Sequence, residues 1–94
     1  MSDHVLIRSG QAGAFAGRLV RREGDEVELA DARRIWYWDG AATLSELATR
    51  GTKKPASCKF PAPVPSVTVL GVCEVIPMTD EAVASIASVP VWSA

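Results

Sequence analysis

The sequence predicts an α+β domain, a mostly antiparallel sheet of about five strands carrying two short helices. Two observations carry that reading. Short alternating or β-branched segments broken by glycine-containing turns fill the first 38 residues. Two helix-start signals follow, at Thr43 and at Thr79. At 94 residues the chain makes one domain, 1–94, with a thin core.

Val5-Leu6-Ile7 reads as a first strand, ended by Ser9-Gly10. Gly13 and Gly17 bracket Ala14-Phe15-Ala16, and small residues at that spacing mark a bulge or close backbone approach in a second strand reaching about Arg22. Glu23-Gly24-Asp25 is a turn, and Glu26-Val27-Glu28-Leu29 alternates polar with apolar, as a hairpin with one solvated face does. After Ala30-Asp31-Ala32, the stretch Arg33 to Trp38 reads as a third, separate strand. Thr43-Leu44-Ser45-Glu46 is a capping box, Leu44, Leu47 and Ala48 share a helix face, and Gly51 is placed to end it. Prolines 55, 61, 63 and 65 make residues 52–65 an irregular loop. Val67 to Ile76, the longest apolar run, favours a central strand stopped by Pro77. Thr79-Asp80-Glu81 opens the second helix, with Val83, Ile86 and Ala87 inward, and Val91-Trp92 reads as a short final strand against the sheet.

Composition narrows function by exclusion. An apolar fraction of 48% with 22% charged residues is that of an ordinary globular chain. A formal net charge of −1 excludes general DNA coating, which needs a basic surface. With no apolar run of membrane length, no membrane span is expected. The start, Met1-Ser2-Asp3-His4, lacks the layout of a secretory signal, so a cytoplasmic protein is expected. Cys58 and Cys73 then read as buried free thiols. With His4 the only histidine, neither a structural zinc site nor a His-based catalytic scheme is expected, and no cofactor is implied.

Charge is unevenly spread. Residues 1–60 hold all ten cations against eight acids, a net +2, while residues 61–94 carry −3. That separation favours a specific anionic partner or self-association. The segment Arg33-Arg34-Ile35-Trp36-Tyr37-Trp38 concentrates the chemistry. On a strand, Arg34, Trp36 and Trp38 share one face, offering a guanidinium for phosphate beside indoles for stacking a base. Arg33, on the other face with Ile35 and Tyr37, is expected at the surface as a second candidate for the phosphate, and Lys53 and Lys54, after the helix, add charge to the same mouth as Arg34. Aromatics on strands also pack in cores or against subunits, so core, interface and site all stay open for Trp36 and Trp38. Gly10-Gln11-Ala12-Gly13 lacks the Lys-Thr ending of a triphosphate-binding loop.

The stretch Ala32-Arg33-Arg34-Ile35-Trp36-Tyr37-Trp38-Asp39-Gly40-Ala41 resembles a family of small tailed-phage and prophage proteins of unknown function. The likeness continues through Leu44-Ser45-Glu46-Leu47-Ala48, Gly51-Thr52-Lys53-Lys54-Pro55 and Cys58-Lys59-Phe60-Pro61. It spans nearly the whole chain and brings no catalytic motif. It implies a phage product made in the cytoplasm of an infected bacterium.

Phage accessory proteins include sponges that sequester nucleotide signals of bacterial defence. A non-enzymatic sponge for a cyclic oligonucleotide or cyclic ADP-ribose, with ligand-binding residues Arg33, Arg34, Trp36, Trp38, Lys53 and Lys54, is the leading expectation. The alternative is a protein-binding or virion-associated module. An enzyme such as a phosphodiesterase would have to use Asp31, Asp39 and Glu46 without a histidine beside them. A homo-oligomer is expected, because so small a sheet leaves its edges open.

Overall fold

Val5, Leu6 and Ile7 are all buried, so the sheet has a packed layer on each face. The computed structural model describes residues 3–93. Met1 and Ser2, part of the start read above as non-secretory, lie outside the described residues, as does Ala94. Strands β1 (His4–Ser9), β2 (Gly13–Glu23) and β3 (Glu26–Ile35) form an antiparallel meander. Strand β4 (Val64–Val69) pairs with β3 and β5 (Val72–Pro77) with β1, giving the order β4-β3-β2-β1-β5. Two helices, α1 (Leu44–Arg50) and α2 (Asp80–Ala87), and a single 3-10 turn at Pro55–Ser57 complete the described elements. The architecture is the α+β sheet of five strands with two short helices that the sequence predicts.

The sheet cannot be flat. Strands β4 and β5 stand at opposite edges, yet only Leu70 and Gly71 separate them. Five strands laid flat span about 19 Å from first to last. Three residue steps reach at most about 11 Å. The sheet therefore rolls until its edges meet at this corner, where Gly71 takes a φ of +68°. The corner is fastened by Val72 N–H donating to the Asp25 carbonyl at 2.9 Å and by the Ser9 hydroxyl donating to the Leu70 carbonyl at 2.9 Å. The Val67–Ile76 run is thus two edge strands and a turn, which corrects the central strand expected from its apolar content. Burying alternate residues inside a rolled sheet needs the same valines that a central strand would.

Inside the roll, Val5, Ile7, Phe15, Val27, Leu29 and Val69 pack together. On the other face, Leu6, Ala14, Ala16 and Ile35 pack against Leu47, Phe60, Ala82 and Ile86. The helices that supply this second layer are capped as their sequences require. Thr43 Oγ1 accepts from Glu46 N–H at 3.1 Å, and Glu46 answers by accepting from Ala42 N–H at 3.2 Å. Thr79 Oγ1 accepts from Ala82 N–H at 3.1 Å and donates to the Thr49 carbonyl at 2.6 Å, tying α2 to α1. Of the two free cysteines, Cys58 is buried and Cys73 exposed, so only the first matches the expected buried thiol.

Candidate ligand-binding site

The separate strand expected over Arg33–Trp38 is not formed. Its first three residues continue β3, and regular pairing stops at Ile35. What connects the two halves of β3 is a one-residue bulge. Ala16 of β2 faces Arg33 while Arg18 faces Ala30, two steps on one strand against three on the other. Asp31 sits in the bulge with a φ of +50°, and its carboxylate lies 3.8 Å from Arg18 Nη2. The inserted residue inverts the alternation. Leu29 and Ala32 both belong to the interior cluster, and Ile35 belongs to the helix-side cluster.

The two adjacent arginines therefore diverge. Arg33 is only 7% exposed and is held beneath the helix layer. Its Nε donates to the Pro61 carbonyl at 3.2 Å, Nη1 to Ile86 at 2.9 Å and Nη2 to Phe60 at 3.2 Å. Ile86 lies in the last turn of α2, where a cation also meets the negative end of the helix dipole. Among the described residues no carboxylate comes within ion-pair distance of Arg33. Desolvation by burial accordingly pushes its pKa below the usual arginine value. This corrects the surface placement expected for Arg33. Its charge fastens the 60–61 loop and α2 to the sheet.

Arg34 takes the other side. Its guanidinium lies 4.4 Å from the centroid of the Phe15 ring, and Nη1 donates to the Ala12 carbonyl at 2.7 Å. A cleft of about 350 Å³ runs past it, walled by the Gly10–Gly13 turn and by Trp36. A second, of about 320 Å³, passes between Phe15 and the end of β4. The turn is drawn in by Ser9 Oγ, which accepts from Gln11 and Ala12 N–H.

Trp36 is 64% exposed and lies nearly parallel to Trp92, with ring centroids 6.5 Å apart and planes 7° from parallel. Trp92 is brought there by its N–H donating to the Phe60 carbonyl at 3.0 Å, beside a parallel bridge between Phe60 and Val91. Lys59, paired through its backbone with Tyr37, places Nζ 5.7 Å from the Trp92 ring and 5.9 Å from the Tyr37 ring. An exposed aromatic surface with one guanidinium and one ammonium at its borders results.

The structure brings Arg34 and Trp36 into one cleft and leaves the other four expected residues out of it. Arg33 is buried elsewhere. Trp38 is half-buried against the helix-side core, its Nε1 donating to the Ala41 carbonyl at 3.2 Å. Lys53 and Lys54 stand exposed on the loop after α1, outside both clefts beside Arg34. Sequence reasoning missed Lys59 and gave Trp92 a place in a final strand but none in the site, because the approach of Trp92 to Trp36 and of Lys59 to Trp92 depends on pairings that no local pattern announces. The three acids considered for catalysis are separately engaged. Asp31 faces Arg18, Asp39 accepts from Gly40 N–H at 2.7 Å, and Glu46 accepts from Ala42 N–H. Among the described residues, no group of three His, Cys, Asp or Glu side chains is placed to hold a metal ion. Nor is any described helix long and apolar enough to cross a membrane.

Residues 2–86 match the model of a family described as a domain of unknown function, DUF6948. The chain belongs to that family. The matched region includes Arg34, Trp36 and Lys59 and ends before Trp92, so one indole of the stacked pair lies outside it. No curated protein and no solved structure matches the chain.

Proposed function

We propose that this protein is a non-enzymatic binder of a phosphate-bearing nucleotide, with Arg34 meeting phosphate and Trp36 stacking on the base. The observation that carries the reading is that Arg34 and an exposed tryptophan share one cleft. Stacking on an indole face and a charge-assisted contact to phosphate are the two interactions a nucleotide rewards most. With the resemblance to phage and prophage proteins, this points to a sponge working in the cytoplasm of an infected bacterium. Its ligand would be a cyclic oligonucleotide or cyclic ADP-ribose signal. At about 350 Å³ the cleft is at the small end for such ligands. A homo-oligomer, in which a second copy pairs on an open edge at β4 or β5 and deepens the site, answers that shortage.

Calorimetry against a panel of cyclic di- and trinucleotides and cyclic ADP-riboses tests the reading. Binding that weakens ten- to a hundredfold in Arg34→Ala and Trp36→Ala supports it; folded protein that binds none of the panel at tens of micromolar refutes it. The exposure of Tyr37 and Val91, chain neighbours of the stacked Trp36 and Trp92, favours one other reading, an aromatic anchor for a protein partner. A stoichiometric host or phage protein whose capture is lost in Trp36→Ala, with no nucleotide bound, selects that reading instead.

A further inference from the structure

A separate pocket of about 310 Å³ opens between the sheet and α2. Its walls are mostly apolar, with Ala16 and Gly17 on β2, and Val83 and Ala87 on α2. Arg33 lines it, and Arg33 is the single buried charge among the described residues. A guanidinium carries five N–H groups. Three are given to the carbonyls of Phe60, Pro61 and Ile86, which leaves one on each Nη. No side-chain carboxylate among the described residues neutralises the charge. The acid nearest in the lining, Asp31, faces Arg18 instead. An apolar pocket bordered by a buried cation that has carbonyl partners but no carboxylate, and one further N–H on each Nη, has a definite chemical complement.

We propose that this pocket binds a small monocarboxylic acid with an apolar body, its carboxylate on the two spare Nη donors of Arg33. The body lies between β2 and α2. One negative charge balances one positive charge, and two carboxylate oxygens match two donors. A dianionic phosphate would bring more charge and more acceptors than this wall supplies. At about 30 Å³ per water-sized unit, the pocket holds roughly ten heavy atoms. Phenylacetate has that size, and its neutral amide is nearly isosteric.

The test is a titration of the full-length, ¹⁵N-labelled protein with phenylacetate and, separately, with phenylacetamide. The expected result is a set of shift changes centred on the amides of Ala16, Gly17, Val83 and Ala87 and on Arg33 Nε. The acid should bind at least tenfold tighter than the amide. Ala87 is exposed at the end of α2, so Ala87→Trp fills the pocket mouth without touching the core and should abolish these shifts while melting like the parent. Trp36→Ala should leave them in place, which separates this site from the Arg34 cleft. Equal binding of acid and amide, shifts centred on the Gly10–Gly13 turn, no shifts at all, or unchanged binding in Ala87→Trp would each overturn the proposal.

Discussion

Arg33 and Arg34 are neighbours in sequence, and exchanging each for methionine should have very different consequences. Arg33→Met keeps a long flexible side chain that can still pack beside Phe60 but removes three donors from the carbonyls of Phe60, Pro61 and Ile86. Hydrogen bonds from a charged donor contribute about 1.5–3 kcal/mol each, so three give roughly 4.5–9 kcal/mol gross. Against this stands the relief of no longer desolvating an unpaired cation, an effect of several kcal/mol. The net cost is about 2–4 kcal/mol, which for a domain of this size lowers Tm by roughly 8–30 °C. Arg34→Met loses one exposed hydrogen bond and a contact with the Phe15 ring, together about 1–2 kcal/mol. Urea unfolding followed by tryptophan fluorescence measures both. If Arg33→Met unfolds within about 0.5 kcal/mol of the parent, the buried guanidinium is not the fastening described here. The same holds if Arg34→Met is the more damaging of the two.

Gly51 ends α1 at φ +75° and ψ −158°, a region open essentially to glycine, and a Cβ there would overlap the Ser85 side chain. Gly51→Ala should therefore cost at least about 2 kcal/mol in a thermal or urea melt. Thr79→Ala removes both the α2 cap and the bond to the Thr49 carbonyl, and should cost about 1–3 kcal/mol. Replacing the hydroxyl's neighbours Asp80 and Glu81 by the corresponding amides should cost much less, about 0.3–1 kcal/mol each, because only the helix dipole is affected. For assembly, light scattering at high micromolar protein should show a species above 10 kDa. A monomer throughout would remove the proposed subunit contact at the sheet edges.

How far sequence reading reached can be followed through particular residues. Strands β1 and β2 and the first half of β3 were legible because their turns are marked by glycine and the segments are short and apolar or alternating, both properties of adjacent residues. The helix caps at Thr43 and Thr79 were legible for the same reason, since a cap is a contact across three residues. Arg34 and Trp36, read as sharing a strand face with Trp38, do line one cleft, but Trp36 lies beyond the end of β3 and Trp38 turns to the helix-side core, so strand alternation does not account for the placement. Arg33 was misplaced because one bulged residue, Asp31, shifts the alternation, and bulges depend on what the neighbouring strand presents.

The sequence by itself determined the class of fold, the single domain, the helix ends and the separation of charge between the two parts of the chain. Each follows from propensity, capping or composition, which act over a few residues or over the whole chain at once. Tertiary structure alone decided that Val67–Ile76 becomes two edge strands, that the sheet rolls, and that Trp92 meets both Trp36 and Lys59. It also decided that one of two neighbouring arginines is buried beneath a helix while the other borders a cleft. These depend on contacts between residues distant in sequence, and a two-residue link too short to cross a flat sheet leaves the chain no other geometry.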